Sequence, residues 1–237
     1  MNAQEKLLDN SIDKVESFSF PKTLSPLRKV AMLLFNMIPA LQVASFIAFI
    51  YLLPQTPIIK LTLATTLLLL LPPLTSLLVL RLSNIKNKTI IIGSNDYLIW
   101  WFLLCQQTLF SRLSFLEECI RMIPGLYSLW LRLWGSQIGS LTYWAPGTRI
   151  FDRGFLNIGN SVILGAGTRL SPHVIIKDDS GNLMLHLDTI TIEDNSVIGG
   201  YSLLTAGTRI LKGSATRAFT ISPPNSIWRD SKRVKSW

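Results

Sequence analysis

The feature that most constrains this chain is a spacing of six. Apolar residues recur at Ile138, Trp144 and Ile150, then at Ile158, Leu164, Leu170 and Ile176, and again at Ile192, Ile198, Leu204 and Ile210. Four places after most of them stands a small or β-branched residue: Thr142, Thr148, Val162, Thr168, Val174, Ser196, Ser202, Thr208 and Ser214. A period of six fits neither the 3.6 of a helix nor the alternation of a simple strand. It is a hexapeptide repeat, the signature of a parallel β-helix. Three short strands make one triangular coil, the aliphatic side chain points inward onto its copy in the next coil, and the small residue fits the tight corner. Each coil satisfies its backbone groups on its neighbours. The strict hexads favour the left-handed form, and the pattern predicts an all-β left-handed parallel β-helix over residues 135–221. Trp144 is oversized for an inward slot.

The repeat is interrupted twice. Ile150 to Ile158 is eight residues, a small insertion, and Ile176 to Ile192 is sixteen. The segment 177–189, KDDSGNLMLHLDT, therefore includes a loop that leaves the coil. Loops thrown from a rigid solenoid are where function usually sits. Residues 222–237 read as a basic C-terminal tail containing Arg229, Lys232, Arg233 and Lys235.

The first 135 positions follow a different grammar. The whole chain is 49% apolar and 16% charged, well under the roughly 25% charge of a soluble domain. The excess lies in Val30–Leu53, 24 residues without a formal charge, and in Leu61–Leu80, 20 more. A bilayer core takes about 20 apolar residues per helix, so residues 30–80 read as a transmembrane hairpin. Pro39 and the pair Pro72-Pro73 are expected to kink it. Lys22, Arg28 and Lys29 precede the first span, Arg81, Lys86 and Lys88 follow the second, and only Lys60 stands between. The positive-inside rule then puts both outer ends in the cytoplasm. That predicts a multi-pass protein of the inner (cytoplasmic) membrane, with residues 1–29 as a cytoplasmic tail and the β-helix in the cytoplasm. Residues 81–134 contain Trp100, Trp101, Trp130 and Trp134 and are expected as helices at the membrane interface, because indole rings favour headgroup depth. A buried helical collar on the β-helix, or a re-entrant segment, fits the same pattern.

Several chemistries are excluded. Two cysteines, Cys105 and Cys119, make neither a disulfide framework nor a cysteine zinc module. Two histidines, His173 and His186, cannot supply a three-histidine metal site within one subunit, and no metal is expected. The net charge of +9 could suit nucleic acid, but the cations flank the apolar spans and no basic helix with interleaved aromatics is seen. Nucleic acid is not expected as a partner.

The hexads Ile158-Gly-Asn-Ser-Val-Ile and Ile192-Glu-Asp-Asn-Ser-Val, a histidine just before an extruded loop, and the ending Ser222-Pro-Pro-Asn-Ser-Ile-Trp-Arg-Asp resemble the left-handed β-helix (hexapeptide-repeat) acyltransferases. The resemblance covers about residues 131–231. Upstream, Gly93–Trp101 and Leu131-Arg-Leu-Trp-Gly-Ser-Gln-Ile-Gly resemble a membrane-linked subgroup, found in terminal domains of certain non-ribosomal-peptide-type synthetases and in envelope-modifying proteins. The resemblance implies acetyl-CoA or another acyl-CoA as co-substrate, a homotrimer with sites between adjacent prisms, and His173 as general base, since histidine titrates near neutrality. His186 is the second candidate, or a contact to the acceptor. Asp178 and Asp179 could orient the His173 imidazole, or belong to a solvated loop tip. The resemblance also implies that backbone near Gly199-Gly200 lines the pantetheine slot, where a plain turn is the alternative. Arg209, Lys212 and Arg217 could hold the coenzyme A phosphates, or join the tail in meeting solvent or lipid.

The leading functional expectation is a membrane-tethered acyltransferase. It would move an acetyl or other acyl group to a hydroxyl or amine of a lipid-linked sugar, an envelope glycan precursor or a membrane lipid. The competing one is a non-catalytic scaffold that uses the β-helix as an assembly post. A γ-type carbonic anhydrase shares the fold but needs three zinc histidines.

Overall fold

The computed structural model describes residues 24–178 and 180–236. Helix α1 (Pro26–Asn36) starts at Ser25, whose Oγ accepts from the Arg28 N–H, and stops at Met37. Pro39 has no N–H to give the Phe35 carbonyl, and α2 (Ile38–Leu52) begins after this break. Helix α3 (Pro57–Leu82) packs back along α2 and runs through Pro72 and Pro73. Residues 26–52 and 57–82 are each long and apolar enough to cross a membrane by length and composition. Pro73 leaves the Leu69 carbonyl without its helical donor, and the indole Nε1 of Trp130 donates to that carbonyl at 2.8 Å.

Strand β1 (Lys88–Ile91) follows, then α4 (Asn95–Arg112), α5 (Phe115–Arg121) and α6 (Leu126–Leu133). Helix α4 packs along α1, α2 and α3. Three of the four expected interface tryptophans are inside the protein instead: Trp100, Trp130 and Trp134 are 4%, 4% and 1% exposed, and Trp101 is half-buried. Phe110, Ile120, Tyr127, Trp130, Leu131 and Trp134 share one core with the coils. A stack of coils has an open apolar end that needs a cap, and these helices supply it as a collar. Trp144 fits because it lies beneath that collar, with Nε1 donating to Ser128 Oγ at 2.9 Å and its ring edge-on to Tyr127.

The coils follow. Strands β2 (Gln137–Ile138), β3 (Tyr143–Trp144) and β4 (Arg149–Ile150) form the first, and β5 (Leu156–Ile158), β6 (Ile163–Leu164) and β7 (Arg169–Ser171) the second. The chain then leaves the stack as an antiparallel hairpin, β8 (His173–Lys177) and β9 (Leu183–Leu187). It returns as β10 (Ile190–Ile192), β11 (Val197–Ile198) and β12 (Leu203–Thr205), and closes a fourth turn with β13 (Arg209–Ile210), a bridge at Ala215 and β14 (Ile221–Ser222). Parallel pairing places Ile138, Ile158, Ile192 and Ile210 in one inward column. Trp144, Leu164 and Ile198 form the second, and Ile150, Leu170 and Leu204 the third. Apart from Ile138 and Trp144 at the open end, these side chains are at most 2% exposed.

Two expected boundaries move. Ile176 is not an inward hexad residue: it pairs with Met184 in the hairpin and is 37% exposed. The excursion therefore begins at Pro172, and it is a hairpin, not an open loop. Because β1 pairs with β9, the hairpin becomes part of a three-stranded sheet with β9 at its centre. Residues 222–237 are not simply a tail: β15 (Ser226–Arg229) stacks Trp228 on Ile210, and β16 (Lys232–Ser236) folds back antiparallel and covers the last edge.

Candidate functional site

The two interruptions of the repeat fall at the same corner of the prism. The first lies between β4 and β5 and the second between β7 and β10. Because β4 pairs with β7 and β5 with β10, the two connections stack. The shorter one carries Asp152 and Arg153, and the longer one opens with His173.

Asp152 has φ +51°, a left-handed conformation that Asp tolerates better than most residues, and it is fully buried. Its Oδ2 meets His173 Nδ1. Its Oδ1 accepts from Trp100 Nε1 at 2.9 Å, and the Trp100 ring stands edge-on to the imidazole with centroids 5.2 Å apart. The neighbouring Arg153 is 1% exposed. It pairs with Glu117, and its N–H and guanidinium donate to Gln107 Oε1 at 2.8 and 3.1 Å. Glu117 also accepts from Arg121 at 3.0 Å and from Tyr127. This ionic knot pins the corner to α4 and α5, since breaking a buried pair would strand a charge.

A carboxylate on Nδ1 fixes the proton there and leaves Nε2 as the basic nitrogen. Nε2 has no hydrogen bond among the described residues, and the His173 side chain is 24% exposed. Burial alone would lower the His173 pKa. The Asp152 charge and hydrogen bond outweigh it, and the pKa rises above the ordinary value.

Asp178 is not brought to His173. It lies exposed at the hairpin tip and accepts from Asn182 Nδ2 at 3.1 Å, Asn182 N at 2.7 Å and Ser180 N at 2.9 Å. Those donors, Asn182 foremost, hold its carboxyl below the usual range. The hairpin carries its tip away from the corner while His173 stays at the base. Asp179 lies outside the described residues. His186 bridges elements: its Nδ1 is 3.2 Å from Thr89 Oγ1, and its Nε2 is 3.0 Å from Asn225 Oδ1. An amide oxygen only accepts, so Nε2 carries the proton and Nδ1 receives the Thr89 hydroxyl.

Gly199 is a close-approach glycine: a Cβ there would stand 2.3 Å from the Arg217 carbonyl carbon in the next coil. Gly200 approaches Ala166 O in the coil before. Arg209 is held by Glu193, Nε to Oε1 at 2.7 Å. Lys212 and Arg217 are exposed and without ion pairs among the described residues.

Neither Asp152 nor Trp100 is among the site candidates that the sequence offers, where Trp100 is an interface tryptophan. The eight-residue step from Ile150 to Ile158 was the available signal for Asp152, because an insertion at a corner changes what that corner can present. Nothing local pointed to Trp100.

Fold and site together define a hexapeptide-repeat parallel β-helix with a carboxylate-backed histidine at one corner. No protein-family profile matches the sequence, and no curated protein matches it. Among solved structures, the chain is similar to a hexapeptide-repeat-containing acetyltransferase of Vibrio cholerae, at 17% identity and TM-score 0.34, over 55% of this chain and 91% of that one. A galactoside acetyltransferase in complex with coenzyme A matches at 16% identity and TM-score 0.32, over 53% and 78%. A maltose O-acetyltransferase of Clostridium difficile matches at 12% identity and TM-score 0.29, over 63% and 92%.

Proposed function

We propose that this protein is a membrane-tethered acyltransferase. It moves an acetyl or other acyl group from an acyl-CoA to a hydroxyl or amine of a lipid-linked sugar, an envelope glycan precursor or a lipid. The observation that carries the reading is the buried Asp152 on His173 Nδ1, with Nε2 left to accept a proton. Acyl-CoA supplies the thioester carbonyl. His173 Nε2 takes the proton of the acceptor hydroxyl or amine as its oxygen or nitrogen bonds to that carbonyl. Asp152 stabilises the imidazolium that results. When the carbon–sulfur bond breaks, the same nitrogen returns the proton to the departing thiolate, and the products are the acylated acceptor and free coenzyme A. Lys212 and Arg217 fit the phosphates best, because their charges are exposed and unpaired. Arg209 would first have to leave Glu193.

Two apolar helices, with both outer ends on the β-helix side, support a membrane tether that holds the β-helix in the cytoplasm. The exposed Phe115, Met122, Ile123, Leu126 and Leu129 of the collar add apolar surface beside it. A homotrimer of the β-helix prisms completes the proposal.

The test is coenzyme A release from acetyl-CoA by detergent-purified protein with an envelope-lipid and glycan-precursor extract, beside His173→Ala. Extract-dependent release that disappears in a folded variant supports acyl transfer. No release with acetyl- or longer acyl-CoAs, and no thermal shift with coenzyme A, returns the scaffold reading.

A further inference from the structure

Helix α2 is apolar almost throughout, and its amide and hydroxymethyl side chains, Gln42 and Ser45, stand one turn apart on a single face. Both line a cleft of about 330 Å³ between α2 and α3, whose walls include Phe46, Leu68 and Leu71 and where α4 contributes Gln106. Gln42 Nε2 donates to the Gln106 carbonyl at 3.1 Å and to Gln106 Oε1 at 3.2 Å. Its own Oε1 is buried with no hydrogen-bond partner among the described residues. A buried acceptor without a donor is costly, and polar side chains within apolar spans are usually functional.

We infer that this cleft binds the apolar chain of an amphiphile and that Gln42 Oε1 receives a hydroxyl or N–H of the same molecule. The cleft is of the size that holds a small amphiphile. A further helix as long as α2 would occupy on the order of 2,000 Å³. Gln106 lies six residues from Trp100 on α4, a rise of about 9 Å, and Trp100 touches the Asp152–His173 pair. The cleft and the proposed base thus share α4, which brings Gln106 to the one and Trp100 to the other. Resting on the acyl-transfer reading, this makes the acceptor a lipid with a hydrogen-bond donor near its chain, not a free sugar.

The binding can be read without turnover. The full-length protein is placed in nanodiscs doped with a diazirine-tailed N-acyl amide lipid or with its N-methylated counterpart, and the labelled peptides are mapped. Expected is labelling of α2 and α3 at the cleft, with the N–H lipid favoured about fivefold, the worth of one hydrogen bond. In Gln42→Leu that preference disappears while thermal unfolding is kept. In Leu71→Trp, which fills the cleft, labelling by both lipids falls. Equal labelling by the two lipids, a preference that survives Gln42→Leu, labelling spread over the whole apolar surface, or a cross-linked second copy of the chain would each overturn the inference. Because no acyl-CoA is present, lipid preference can stand if coenzyme A release fails, and can fail if release stands.

Discussion

The indole N–H of Trp100 donates to Asp152 Oδ1 at 2.9 Å, and so a helix packed on the apolar hairpin fixes the carboxylate that faces His173. The next residue, Trp101, donates to Asn36 Oδ1 of α1 at 3.0 Å. Hairpin, helix and site are thus joined through two adjacent tryptophans. Trp100→Phe keeps the ring and removes the N–H. The carboxylate then turns more of its charge on the imidazole, and the His173 pKa rises further. With only two histidines in the chain, a histidine-labelled NMR titration reads this shift directly, and an unchanged titration would remove Trp100 from the site.

Asp152→Asn takes away the charge that raises the His173 pKa and leaves burial, which lowers it. In the native protein the raised pKa contributes its full stabilisation below the unfolded value of about 6.5. That contribution is lost as pH rises through the folded value. In Asp152→Asn the folded pKa falls below the unfolded one, so stability is instead lost as pH falls. Urea unfolding midpoints across about pH 5 to 9 should show opposite slopes for the two proteins. Acyl transfer should fall about 10²–10⁴-fold in His173→Ala, with a large loss in Asp152→Asn as well.

Trp130→Phe strands the Leu69 carbonyl, at a cost of about 1–3 kcal/mol. Pro73→Ala restores the helical N–H that this carbonyl lacks, so the same Trp130→Phe change costs much less in that background. The coupling in a double-mutant cycle, measured by unfolding in detergent, checks the pairing. Additive losses would mean that Trp130 acts by packing alone.

His186→Gln should leave acyl transfer within a few-fold of native while losing about 1–2 kcal/mol of stability, since the Thr89 and Asn225 bonds join β1 and the last corner to the hairpin. Coenzyme A release assayed beside thermal unfolding separates this from the expectation that His186 contacts the acceptor. A large activity loss at unchanged stability would restore that expectation.

Gly199→Ala forces a Cβ into the Arg217 backbone and should destabilise by about 1–3 kcal/mol. Gly213→Ala meets open space and only a positive φ of 69°, so it should cost about 1 kcal/mol. Chemical unfolding of the two variants should keep that order.

The hexads made the coils legible, because an inward side chain in a solenoid meets its own copy one turn later and periodicity alone specifies the contact. Ile158, Ile192 and Ile210 stack as that period requires. The collar is not legible in the sequence, because an aromatic helix reads the same whether its rings face headgroups or cap a core. The carboxylate partner of His173 is hidden for a related reason. Asp178 and Asp179 are near His173 in the chain, and chain proximity is a poor guide where a hairpin separates base from tip.

By itself, then, the sequence determined the β-helix, the places where its repeat breaks and the apolar hairpin, all set by local spacing and composition. The stacking of coils and helices puts the two breaks on one corner, so that Asp152 meets His173, and brings Trp100 to both from a helix about fifty residues upstream of the carboxylate. Such contacts depend on how coils and helices stack in space, and no period along the chain records that.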